Sequence, residues 1–211
     1  MNTEALIRAL AADTMVQRRP ARLLAAALPL ALAAGALCLW LTLGFRGDLA
    51  ASLSVPESAL RFLLAGALGL AGLRMGLLLA RPEGRGLVRF WPLVAIALVA
   101  AGAVAWAWLV TPPGARQMAM VGKTMVTCLV TIPILSVLPV AVILTALRRG
   151  ATTAPALAGL AAGIGGSGLS AMIYALHCTE DSPLFYVTWY GLAIAGVTVV
   201  STLIGGRWLR W

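Results

Sequence analysis

Two cysteines, one histidine and three methionines carry the most reactive chemistry that the residue types offer. Met118, Met120 and Met125 lead up to Cys128, and His177 stands directly before Cys178. Thiolate, thioether and imidazole together suit soft or borderline ions such as Cu(I) or Zn(II). The same two thiols could instead close a disulfide in an oxidising compartment. The chain has 3 cysteines, Cys38, Cys128 and Cys178, which allows at most one internal bridge. Cysteine and methionine are also ordinary apolar packing residues, and the residues by themselves fit all three readings. A metal site needs more ligands than two thiols, and His177 and Met125 are the next candidates. Glu180 and Asp181 read as a solvated loop, and Cys38 as packing in mid-helix.

Other chemistry finds little support. No phosphate-cradling glycine loop with a lysine and no metalloprotease helix motif occurs. His177 is not paired with a nucleophile in any recognisable catalytic motif. The acids Glu4, Asp13, Asp48, Glu57, Glu83, Glu180 and Asp181 all fall at or beyond the ends of apolar runs. Pumps place an ionisable group near mid-membrane, where it works despite its cost. A catalytic role is therefore not expected, and no cofactor is required beyond a possible soft metal ion at the two cysteines.

The elements that must position these residues are apolar runs. The chain is 61% hydrophobic and 11% charged, against roughly 25% charged residues in a soluble domain. One core could not hide that much apolar surface, and lipid is its natural solvent. Six runs, near 22–45, 59–80, 90–110, 122–147, 154–176 and 184–206, each reach the ~20 residues a helix needs to span hydrocarbon. Strand-like alternation is absent from them, which excludes a barrel reading. The breaks carry turn chemistry, as in Arg81-Pro82-Glu83-Gly84 and Thr111-Pro112-Pro113-Gly114. The fold class is thus an all-α integral membrane protein. It is a bundle of six transmembrane helices with a short cytoplasmic N-terminal amphipathic helix, divided into segments 1–20 and 21–211.

Orientation follows from the basic residues. Eleven arginines, from Arg8 to Arg210, fall on one side of the runs, and Arg46, Arg61, Arg116 and Lys123 on the other. That bias places both termini in the cytoplasm. The remaining Arg74 lies inside the second run, within snorkelling reach of the cytoplasmic end. Spans four and five share a short cytoplasmic loop and should be antiparallel neighbours, which brings Cys128 and Cys178 to similar depth near the outer surface. Glycines at 66, 69, 72 and 76, and at 159, 163, 165, 166 and 168, predict close helix packing.

The N-terminal segment recurs in Leu6, Ile7, Leu10 and Met15 at near-helical spacing, with Thr3 as a cap and Glu4 in the first turn. Such a helix could lie on lipid or dock in a protein groove. Glu4 and Asp13 beside Arg8 weaken the lipid reading, since interfacial anchors favour a basic polar face.

Several stretches resemble the NrsF family of membrane anti-sigma factors. They are Leu6-Ile7-Arg8-Ala9-Leu10-Ala11-Ala12-Asp13, Cys128-Leu129-Val130-Thr131-Ile132-Pro133-Ile134-Leu135-Ser136 and Ala146-Leu147-Arg148-Arg149-Gly150-Ala151. The most specific is Tyr174-Ala175-Leu176-His177-Cys178-Thr179-Glu180-Asp181-Ser182-Pro183-Leu184-Phe185, followed by Trp189-Tyr190-Gly191. Met15-Val16 departs from the family's Pro-Val. The resemblance implies a bacterial inner-membrane protein whose cytoplasmic segment, through Leu6, Ile7, Leu10 and Asp13, binds an extracytoplasmic-function sigma factor. It also implies a periplasm-facing sensor at Cys128 and Cys178, responsive to heavy-metal or oxidative stress, and transcription control without direct nucleic-acid binding. A small transporter or channel would need a polar path, and a thiol oxidoreductase a paired-cysteine motif or quinone site. The chain shows neither.

Overall fold

The structure is a computed structural model that describes residues 2–4, 7 and 20–210. Among the described residues the chain is helical, without strands. The long helices are α1 (Pro20–Thr42), α3 (Pro56–Leu79), α5 (Trp91–Val110), α7 (Met125–Arg148), α8 (Pro155–Tyr174) and α9 (Pro183–Trp208). Short helices α2 (Leu49–Leu53), α4 (Gly84–Leu87) and α6 (Pro113–Val121) lie between them. Six segments are long and apolar enough to cross a membrane, as the apolar runs predict.

Proline sets several helix starts. Pro56, Pro92, Pro113, Pro155 and Pro183 stand in first turns, where the missing N–H costs nothing and the fixed φ suits a helix. The run predicted to begin at 122 is preceded by the helix α6, which starts directly within the Thr111-Pro112-Pro113-Gly114 turn signal. Gly122, at φ 60°, separates α6 from α7, a backbone conformation that glycine adopts without strain.

Helix α8 is the hub. Of its apolar stretch 67% is buried inside the protein, against 6% for α5 at the periphery. Its small residues let neighbours approach to backbone contact, as the glycine spacing predicts. On α3, a Cβ at Gly72 would strike the backbone of Gly165. One at Gly168 would come within 2.6 Å of the Gly69 nitrogen. On α9, Gly205 faces Gly159, and Ser201 Oγ donates to the Gly159 carbonyl at 2.8 Å. Pro139 inside α7 removes the N–H that would serve the Leu135 carbonyl. Ser170 Oγ of α8, which donates to the Gly166 carbonyl of its own helix at 2.9 Å, also reaches the Leu135 carbonyl at 3.2 Å, so a neighbouring helix offers it a shared donor.

The two ends of the bundle differ. At the arginine end the α3–α4 and α7–α8 connections meet, with Ala151 N donating to the Ala80 carbonyl at 2.9 Å. At the other, the loop end, the α8–α9 connection (175–182) lies over the helix ends. At the N-terminus, Glu4 N donates to Asn2 Oδ1 at 3.1 Å. Asn2 therefore caps the residues that Thr3 was expected to cap, and Thr3 is itself helical.

Candidate functional site

The two cysteines singled out by the sequence gather at the loop end. Cys128 lies one turn into α7, and Cys178 just after α8. Both are 0% exposed and belong to one core cluster with Tyr174, Phe185 and Tyr190. The antiparallel packing of α7 on α8 produces this meeting, as expected. Neither thiol is bridged, and Cys38 is exposed on α1. Thr124 Oγ1 lies 3.9 Å from Cys178 Sγ. The hydroxyls of Tyr174 and Tyr190 are buried without a hydrogen-bond partner, and their rings meet edge to face at 5.6 Å between centroids.

The other proposed ligands assemble only in part. Met125 packs against the cluster. Met118 and Met120 sit exposed on α6, which Gly122 separates from α7. His177 faces the α1–α2 loop, with Nδ1 2.9 Å from the Gly44 carbonyl. Among the described residues no group of three or more His, Cys, Asp and Glu side chains could hold a metal ion. Structural zinc takes four ligands, and the donors gathered around Cys128 and Cys178 do not make that set.

What the structure adds is a clasp over Cys178. Arg46, from the loop after α1, is buried and hydrogen-bonds both carboxylate oxygens of Asp181, at 2.8 and 3.1 Å. It also binds Asp48 at 2.7 and 2.9 Å and the Cys178 carbonyl at 3.2 Å. Its backbone N–H donates to the Leu176 carbonyl at 3.0 Å. Arg61, in the second turn of α3 and 1% exposed, donates to the Glu180 carbonyl at 2.8 Å and to the Ala175 carbonyl at 3.4 Å. Its guanidinium lies 3.3 Å from Asp181. Two cations thus cap the negative end of α8, where helix carbonyls lack partners.

Glu180 and Asp181, expected as a solvated loop, are structural. Glu180 Oε1 accepts from Lys123 N at 2.8 Å, which ties the loop to the α6–α7 hinge. Burial pushes the Asp181 carboxyl up, but hydrogen bonding from Arg46 and the nearby Arg61 charge outweigh it and hold the group below its ordinary 3.8. Arg46 likewise holds Asp48 below 3.8, and is itself raised by both carboxylates. The sequence carried a signal for this clasp. Arg61 sits inside an apolar run, where a buried cation needs a counter-charge, and few acids occur on that side.

Of the expected partner-binding residues, Ile7 is 59% exposed. Leu6, Leu10 and Asp13 lie outside the described residues.

Fold and site together define a polytopic helical bundle with two buried thiols under a charge-clasped loop. The family model described as "NrsF: Negative regulator of sigma F" matches residues 10–211. The chain is 34% identical to the anti-sigma-F factor NrsF of Caulobacter vibrioides, with all of both chains covered. It is 33% identical to the probable anti-sigma-F factor NrsF of Azospira oryzae, again over all of both. The chain belongs to the NrsF family. Both relatives are named as regulators and not as enzymes, in accord with the non-catalytic reading of the sequence. No solved structure matches the chain.

Proposed function

We propose that this chain is a membrane anti-sigma factor that holds a sigma factor through residues 1–20 and releases it when Cys128 and Cys178 are oxidised. The partner is of the extracytoplasmic-function type, held by the apolar face of Leu6, Ile7 and Leu10 with Asp13 beside it. The bundle of residues 21–211 sits in the bacterial inner membrane. The arginine bias puts both termini in the cytoplasm and the loop end in the periplasm.

The observation that carries the sensor reading is the burial of both thiols in one cluster beneath a loop that is tied to three other segments. Oxidation is the reading taken forward, because it needs only the two thiols that share the cluster. A peroxide takes two electrons and two protons from the thiols, forming an S–S bond and water. A disulfide requires Cα atoms about 5.5 Å apart and a defined dihedral, so closing one fixes how α7 sits against the loop. Arg46 bonds the Cys178 and Leu176 carbonyls from the exit of α1, and α1 runs back to Pro20, where the sigma-binding segment joins. Movement of the loop is thereby passed along α1 to the opposite end. Such coupling requires two bundle arrangements of different affinity for the partner.

The test is co-purification of the sigma factor with membranes before and after peroxide treatment. The native chain should lose its partner on oxidation, and C128S/C178S should keep it. A double variant that still releases normally sinks the sensor reading. L6D/L10D should free the sigma factor without any oxidant, and continued co-purification would count against the N-terminal segment.

A further inference from the structure

Arg74 is a cation in a long helix with no acid to meet it. It lies five residues before the end of α3, about 7 Å inside it at the rise of a helix. It is exposed, and among the described residues it has no hydrogen-bond or ion-pair partner. Arg74 lines a cavity of about 470 Å³ between α3, α4 and α5, open along the outer face of the bundle. Arg89, also exposed, lines the same cavity, and its one hydrogen bond is to the Gly86 carbonyl at 3.2 Å. The rest of the lining is apolar, including Leu70, Leu87, Ile96 and Trp91, the last 69% exposed.

From this we infer a binding site for an anionic phospholipid, of the phosphatidylglycerol class. The phosphate sits between Arg74 and Arg89, and the acyl chains run along the groove between α3 and α5. Guanidinium groups bind phosphate in a two-pronged manner. Basic pockets between helices take lipid head groups at the basic side of a membrane, and an exposed tryptophan is at home at the headgroup level. A second copy of this chain fits the groove less well. Its long helices carry a single acid, Glu57, and that residue is at the opposite end of α3. The loosely packed α5, with little of its surface covered by protein, gains a partner surface when lipid fills the groove.

The probe is phosphatidylglycerol, compared with phosphatidylcholine, bound to the full chain in detergent and detected by native mass spectrometry. The native protein should retain phosphatidylglycerol in preference. R74Q should weaken retention about fivefold, the near-surface worth of one basic residue, and R74K should restore most of it. R89Q, at an exposed position, should weaken retention to a similar extent. R207Q, in the separate groove between α7 and α9, should leave it unchanged. Equal retention of the two lipids by the native protein overturns the inference. So does native-like retention by R74Q/R89Q, or a loss in R207Q as large as that in R74Q.

Discussion

Arg46 and Asp181, 135 positions apart in sequence, are joined by two hydrogen bonds of 2.8 and 3.1 Å. The pair closes the α8–α9 loop over Cys178 and binds that loop to the exit of α1. Arg61 approaches the same carboxylate from α3. One acid therefore ties the exit of α1 and the start of α3 to the connection that carries Cys178.

Asp181→Asn removes the counter-charge of a fully buried guanidinium. Breaking a buried pair from one side costs roughly 3–5 kcal/mol, but Asp181 retains 31% exposure, so a loss of about 2 kcal/mol is expected. It is read as a lower unfolding midpoint in detergent. R61M/D181N should recover part of the loss, since an apolar replacement leaves no orphan charge. A double variant as unstable as the sum of the single ones would show that the residues do not interact.

Acid should loosen the same clasp. Asp48 and Asp181 both have folded-state values below their ordinary 3.8. A depressed carboxyl contributes stability that is fully present above the unfolded-state value and is lost as pH falls through the folded-state value. The unfolding midpoint should hold steady from neutral pH to about pH 5 and decline below it. In D181N the decline should be shallower. An equally steep decline in that variant would assign the acid sensitivity to other carboxylates.

The α3–α8 crossing should tolerate no side chain. Gly72→Val drives methyl groups into the Gly165 backbone, and overpacking of this kind costs about 3 kcal/mol. Gly102→Val on α5 meets nothing within 4 Å and should leave the midpoint unchanged. Similar midpoints for the two variants would argue against the crossing.

Thiol labelling separates the cysteines by burial. Cys38 is exposed, and Cys128 and Cys178 are both 0% exposed. In the folded protein in detergent Cys128 and Cys178 should resist N-ethylmaleimide, and the unfolded chain should take it up at all 3 of its cysteines. Rapid labelling of Cys128 in the folded protein would mean that its cluster opens readily.

The apolar runs alone determined six long helices, because a bilayer requires helical spans of about 20 residues to satisfy every backbone group. The glycine spacing determined how closely α3, α8 and α9 approach. The short connection between α7 and α8 determined that Cys128 and Cys178 share one end. Only the tertiary structure decided how that end is held. Arg46, Glu180 and Asp181 look alike in sequence, as charges beside turns, and Arg61 stands out only as a cation inside an apolar run. Their pairing depends on the ends of α1, α3 and α8 converging, which is a matter of packing between distant segments. The fate of the methionines was likewise tertiary, since Met125 packs against the thiol cluster while Met118 and Met120 are exposed on α6. Periodicity and hydropathy are local properties of a chain, whereas an ion-pair clasp exists only once remote segments are in contact.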